Sequence, residues 1–307
     1  MILSIELQPT YQKNMILEKV GSHEFNIIRT YDSAQGKGID FINICNILGQ
    51  DSKLLTFIGS NNTSKIYFEK INTVGIDIIT VDIKDSVNEN LILNYPDRYE
   101  ILKDNKMRLT SEEVNRFLKV MTDIILDNNI VFLSFDHHSI IEDEALKLII
   151  NNFFKHNIKV LIPINSFNYK HAMEMKLDSC TIDVETLEEI LHIKLYSDKD
   201  IIKAANYLLE KNISRLVVVE EEGKYLAVTD DKVFNIEIKI NKEIKLNQGY
   251  LMAGIANSIN RGYDIEMMIR LAFACGLLDR DNFKEIGLTE IKENMNIINI
   301  TSYNNLG

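Results

Sequence analysis

Four predominantly apolar runs constrain this chain more than any other feature: LLTFIG from Leu54, IVFLSF from Ile130, KVLIPI from Lys159 and RLVVVEE from Arg215. A strand that is apolar at successive positions has no side to show to water, so it must be covered on both faces. Between these runs lie stretches with helical period. KIYFEKINTVG stops at Gly75, Thr110-Ser111-Glu112-Glu113 opens a helix through Ile125, and others span 142–156, Val184–Leu191 and Lys199–Lys211. Strand alternating with helix is the signature of βαβ units. It predicts a three-layer α/β body with a central, mostly parallel sheet. Ligands of such sheets sit beyond the carboxyl ends of the strands.

The remaining segments fit around that frame. MILSIEL has neither a basic leader nor a small-residue cleavage site, so it reads as a first buried strand and not as a signal peptide. Met15 to Tyr31 alternates without a helical period and reads as two short strands standing off the body, and NLILN with YEILK as a hairpin around Pro96-Asp97. Lys170–Met175 reads as a short helix, CTIDV as a short strand, and KYLAVTD with KVFNIEIKI as a second hairpin. Helices over 264–278 and 288–295 precede a tail, and no linker or internal repeat divides the 307 residues.

A net charge of −11 argues against a general nucleic-acid binder, which needs a basic footprint, but leaves room for a local anion pocket. No apolar run reaches the roughly 18 residues of a membrane span. Cys45, Cys180 and Cys275 are widely spaced and lack metal-ligand spacing, which suits reduced, buried thiols in a cytoplasmic protein.

Two glycine-containing stretches draw attention. In AQGKGIDFINICNILG, Gly36 and Gly38 bracket Lys37 ahead of a short helix that stops at Gly49. In KLNQGYLMAGIANSINRG, from Lys245, Gly249 and Gly254 frame a loop running into an amphipathic helix with Met252, Ile255 and Ile259 on its apolar face. A loop feeding a helix N-terminus is a ready anion site, because free N–H groups and the helix dipole point the same way.

The second stretch resembles the C-terminal signature of the phosphofructokinase-B, ribokinase-like family of sugar kinases, and within it the branch of 1-phosphofructokinase and tagatose-6-phosphate kinase. Further similarity lies in Phe57–Gly59, Leu187–Leu191 and NRGYDIEMMIRLAFACG from Asn260, so the likeness covers nearly the whole chain. It implies a single domain over 1–307, a β lid from about 10–32 and 84–103, and a homodimer formed through that lid. It also implies a sugar or sugar-phosphate ligand and ATP with magnesium if the protein is active, or no cofactor if it is not.

Aligned on Ala253-Gly254, the family's Gly-Ala-Gly falls on Leu246, Asn247 and Gln248, and its catalytic Asp falls on Gly249. Asn247, Gln248 and Gly249 are thus the candidate anion loop. The resemblance places substrate contacts on Gln12, Gly36, Lys37, Gly38 and Asp40, with Gln12 replacing a sugar-binding Asp and Asp40 replacing an Asn. The lid residues that would hold a sugar phosphate fall near Val87, Glu89 and Leu91, the Lys-Pro-Asn segment becomes Thr181-Ile182-Asp183, and the nucleotide loop shortens to Glu220-Glu221-Glu222-Gly223. Loss of a general base alone removes about 10²–10⁴ in rate. The expectation is a phosphofructokinase-B-like protein impaired in phosphotransfer that binds or regulates. The alternative is an active kinase with relocated groups, acting on a hexose phosphate such as fructose 1-phosphate or tagatose 6-phosphate.

Several residues stay open. Asp40 is either a substitute base or a helix-capping, polyol-binding group, the latter being favoured, and Lys37 is either a turn residue or an anion contact. Asp136-His137-His138 ends a buried strand, where a metal or acid–base role competes with a structural one. Glu220–Glu222 reads as a solvated acidic loop, with magnesium binding a weaker reading.

Overall fold

A computed structural model describes residues 1–22, 24–72, 75–104, 107–125, 128–135, 147–149, 151, 153, 156–221, 223–239, 246–279 and 287–305. The expectations for Asp136, His137, His138, Glu222 and Lys245, and most of the 142–156 helix, lie outside these residues.

A ten-stranded sheet forms the body. Its parallel part comprises β1 (Ile2–Glu6), β4 (Ser52–Gly59), β5 (Asp77–Ile83), β8 (Ile130–Ser134), β9 (Lys159–Pro163), β10 (Leu177–Asp183) and β11 (Ile213–Glu221). Antiparallel β12 (Lys224–Val228), β13 (Lys232–Ile238) and β14 (Ile298–Asn304) extend one edge, giving the order β14-β13-β12-β11-β10-β9-β8-β1-β4-β5.

The continuous apolar runs do what their composition requires. Along β8, Val131 and Leu133 enter one hydrophobic cluster, while Ile130 and Phe132 enter another on the opposite face. Along β11, Val217 and Val219 take the first side and Leu216 and Val218 the second. Helices α3 (Ser111–Ile125), α4 (Tyr169–Met173), α5 (Val184–Leu191) and α6 (Asp198–Lys211) pack against the first face. Helices α1 (Lys37–Ile47), α7 (Gln248–Arg261), α8 (Ile265–Gly276) and α9 (Leu288–Ile297) cover the second. Helix α2 (Asn62–Asn72) closes a third cluster with α1 through Tyr67 and Ile71.

A separate four-stranded sheet, in the order β3-β2-β6-β7, is made of β2 (Thr10–Lys19), β3 (Phe25–Gln35), β6 (Asn88–Asn94) and β7 (Tyr99–Asp104). It is joined to the body where β2 starts just after β1 ends, where β3 runs straight into α1 and where β6 follows β5.

Three sequence expectations need correction. The strands within 15–31 are long, at 10 and 11 residues, because each continues toward the body to pair with the other. The tail forms β14, which pairs with β13 over seven residues; its polar spacing hid it, because as the outermost strand it keeps half its side chains in water. Gly249 and Gly254 do not frame a loop, since both lie inside α7, which is buried from Gly249 to Ser258 and is not amphipathic. A Cβ on Gly254 would lie 2.5 Å from Ala272 Cα, so that glycine lets α7 and α8 touch backbone to backbone.

Candidate ligand cleft

The expected site residues other than Gln12 lie where α1 and α7 begin, beside the end of β1. Glu6, the last residue of β1, is buried, with 1% of its surface exposed. Its Oε2 accepts from Gly38 N–H (2.8 Å) and its Oε1 from Gln8 N–H (2.9 Å). Ser4 Oγ donates to Gly38 O at 2.9 Å, and Thr56 Oγ1 donates to Glu6 O at 3.1 Å. The carboxylate therefore sits in the concavity of the Gly36-Lys37-Gly38 turn. A Cβ on Gly36 would land on Glu6 Oε2, and one on Gly38 would lie 2.9 Å from Glu6 Cβ. Gly36 also holds φ at +152°, in a region that favours glycine. The turn keeps its glycines because a carboxylate fills it. Burial, reinforced by the Glu6 charge, pushes the nearby Tyr67 hydroxyl well above its ordinary pKa.

On the facing helix, Asn247 is the N-cap of α7. Its Oδ1 accepts from Tyr250 N–H at 3.1 Å, and its Nδ2 donates to Asp40 Oδ2 at 3.0 Å. Asp40 is buried in the first turn of α1 and is not the cap of that helix, which is Gly36. The two helices meet closely here. A Cβ on Gly249 would stand 2.5 Å from Lys37 O, 2.9 Å from Asp40 Cβ and 3.2 Å from Phe41 N. Leu246 and Tyr250 flank this point and are buried in the core.

Gln12 belongs to the four-stranded sheet. Strand register sets Ser33, Gln12 and Asn90 side by side on one face, with Gln35, Thr10 and Asn88 in the adjacent row. Gln12 Nε2 donates to Asn14 Oδ1 at 3.4 Å, and Gln35 Nε2 to Ser33 Oγ at 2.8 Å. The opposite face sends Tyr11 and Ala34 into the cluster with Ile39, Ile42 and Tyr67, so it is the amide-rich face that turns away from the body's apolar packing. Burial, with Asp32 and then Glu89 adding negative charge, pushes the Tyr11 hydroxyl up to about 12.

The region expected to hold a nucleotide is differently built. Asp183 caps α5, its Oδ1 accepting from Thr186 N–H at 2.7 Å. Glu220 and Glu221 are half-buried strand residues opposite Tyr225 and Lys224, not a solvated loop, because β11 runs on through Glu221 to pair with β12. Burial, with Glu220 next to it, raises the Tyr225 hydroxyl. Thr181, Glu220, Tyr225, Leu246 and Gln248 line a shallow cavity there. Among the described residues, no group of three or more His, Cys, Asp or Glu side chains could hold a metal ion. The three cysteines are buried and free, as expected of reduced thiols.

This architecture has known counterparts. The chain is similar to the 1-phosphofructokinase of Borreliella burgdorferi, at 21% identity over 282 residues and 90% of each chain. Its fold superposes on that of Escherichia coli phosphofructokinase-2 solved with substrates and products, with a TM-score of 0.81, 15% identity and coverage of 96% and 98% of the two chains. A Thermotoga maritima structure described as a possible 1-phosphofructokinase gives a TM-score of 0.81 at 19% identity, covering 98% and 99%. The fold is that of the phosphofructokinase-B, ribokinase-like sugar kinases. No family model matches the chain. The phosphofructokinase-B likeness gives Gly249 and Asp40 their interest, because Gly249 stands where the resemblance puts the signature's base and Asp40 Cβ lies beside it. Glu6 was not among the residues singled out from sequence, and Asn247, expected in an anion loop, is instead the N-cap of α7. The one available signal for Glu6 was a charged residue at the carboxyl end of an otherwise apolar strand, where crevices form.

Proposed function

We propose that this protein is a phosphofructokinase-B-fold carbohydrate-binding protein that has lost efficient phosphotransfer and acts by binding, as a sensor or regulatory partner. The observation that carries the reading is the packing at Gly249. The place for a general base's side chain is taken by the Lys37 carbonyl and Asp40 Cβ, so no carboxylate can project from that position. The surrounding residues also do not fit a magnesium triphosphate. Asn247 Oδ1 occupies the Tyr250 amide at the start of α7, and a carboxylate, Glu220, lines the neighbouring cavity. Transfer of a phosphoryl group depends on clamped positioning and charge neutralisation, and neither is present among these groups.

One observation favours a second reading, an ATP-dependent kinase acting on a hexose phosphate such as fructose 1-phosphate or tagatose 6-phosphate. Asp40 Cβ lies 2.9 Å from the point that a Cβ on Gly249 would occupy, so a carboxylate survives near the base position, now carried by α1. Its bond to Asn247 and its burial weigh against proton abstraction. We further propose that two copies associate through the four-stranded sheet.

Thermal-shift and coupled ADP-release assays decide between the readings. A ligand that binds only the native state raises its melting temperature. Stabilisation by a carbohydrate without ATP, and no ADP release, is the expected result. Turnover with Mg-ATP that Asp40→Asn abolishes would establish the kinase.

A further inference from the structure

We infer that the cleft takes a neutral polyol, a sugar or sugar alcohol without a phosphate group. This rests on the binding reading above and names the ligand class within it. Two independent observations support it. The first is the occupant of the Gly36–Gly38 turn. A phosphate docking there needs backbone N–H groups, but Gly38 N–H already donates to Glu6 Oε2, and both flanking glycines close around that carboxylate. A second carboxylate, Asp40, lies one helical turn away and is held by Asn247. An incoming phosphate would meet two like charges against the one cation of the turn, Lys37.

The second observation is the chemistry of the sheet face that turns away from the body's apolar packing, in the sheet whose strand β3 leads into the turn. Its two rows nearest the body, Ser33-Gln12-Asn90 and Gln35-Thr10-Asn88, carry only amides and hydroxyls on β2, β3 and β6. Lys103 continues the first row, but on the outermost strand, where it is exposed. Amides and hydroxyls both donate and accept, as the hydroxyls of a sugar do, and they offer no charge to neutralise a phosphate. A sugar phosphate would have to leave its hydration for a surface unable to compensate the charge.

Calorimetric titration of the full chain with D-fructose, D-tagatose and D-sorbitol, against fructose 1-phosphate, tagatose 6-phosphate and inorganic phosphate, tests this. A neutral sugar is expected to bind at least about tenfold more tightly than its own monophosphate, with little dependence on salt. Glu6→Gln, which removes the charge at nearly constant shape, should narrow that ratio. Should this variant fail to fold, Asn90→Lys places a cation on the amide face and should move the ratio the same way. Tighter binding of the monophosphates by the unaltered protein, or binding of neither class, overturns the inference. Neutral-sugar binding accompanied by ADP release with Mg-ATP would support it while refuting the loss of phosphotransfer.

Discussion

At the level of single residues, the cleft turns on what occupies two small spaces. Restoring a carboxylate by Gly249→Asp is the obvious attempt to recover a kinase, and the geometry predicts that it fails. The new Cβ would sit 2.5 Å from Lys37 O, a backbone atom fixed in the first turn of α1, so α1 and α7 must part to admit it. Overpacking of this kind costs about 1–3 kcal/mol. Gly249→Ala should show most of that loss in urea unfolding, because the clash begins at Cβ. Gly249→Asp should be at least as unstable and release no ADP above background; a gain in turnover would show that the helices separate freely. The family resemblance set Gly249 at the base position, but could not show why a larger side chain does not fit there. That reason is a contact between residues 37 and 249, set by how two helices cross. Glu6 escaped notice for the same reason: its partners, Gly38 and Tyr67, lie on other elements.

Among the elements, the helices were the most legible, since their ends are marked by local chemistry. The Thr110–Glu113 pair forms a capping box: Glu113 N–H donates to Thr110 Oγ1 at 3.3 Å, and Thr110 N–H donates to Glu113 Oε2 at 2.7 Å. Glu113 Oε1 also accepts from Lys84 N–H at 2.6 Å, tying α3 to the segment after β5. Burial alone would raise the Glu113 carboxyl, but the bonds from Thr110 and Lys84, with Arg116 nearby, outweigh it and hold the pKa below the usual range. A depressed folded-state pKa means that the stabilisation is fully present above the unfolded value, near about 4.3, and is lost as pH falls through the folded value. Glu113→Gln should therefore cost about 1–3 kcal/mol at neutral pH. The difference from the unaltered protein should shrink below about pH 4. Denaturant melts across that range check it, and a difference that stays constant would remove the carboxylate from the account. Strands were less legible at the sheet margins. The polar spacing of β14 looks like a tail until β13 supplies its partner seven residues long.

For the whole molecule, the four-stranded sheet bears on how many copies work together. Its rows nearest the body are polar, whereas its outer part leaves Ile27, Ile28, Ile101 and Leu102 between 45% and 60% exposed. Register puts Ile101 beside Ile92 on one face and Leu102 beside Leu91 on the other, so apolar side chains reach both faces along β6 and β7. Grouped apolar exposure of this sort marks an interaction surface, whereas scattered exposure does not. A second copy of the same sheet could cover it by a twofold-symmetric contact in which each surface meets itself. Sedimentation of the full chain at micromolar concentration is expected to give a dimer. The double variant Ile28→Lys, Leu102→Glu should give a folded monomer, because it sets charges in the apolar area without touching the body's core. If both proteins sediment as monomers, or the variant remains dimeric, association does not run through this sheet. If the variant is monomeric and also loses carbohydrate-induced stabilisation, the amide rows of β2 and β6 need a partner copy to hold their shape, and binding and assembly are one coupled equilibrium.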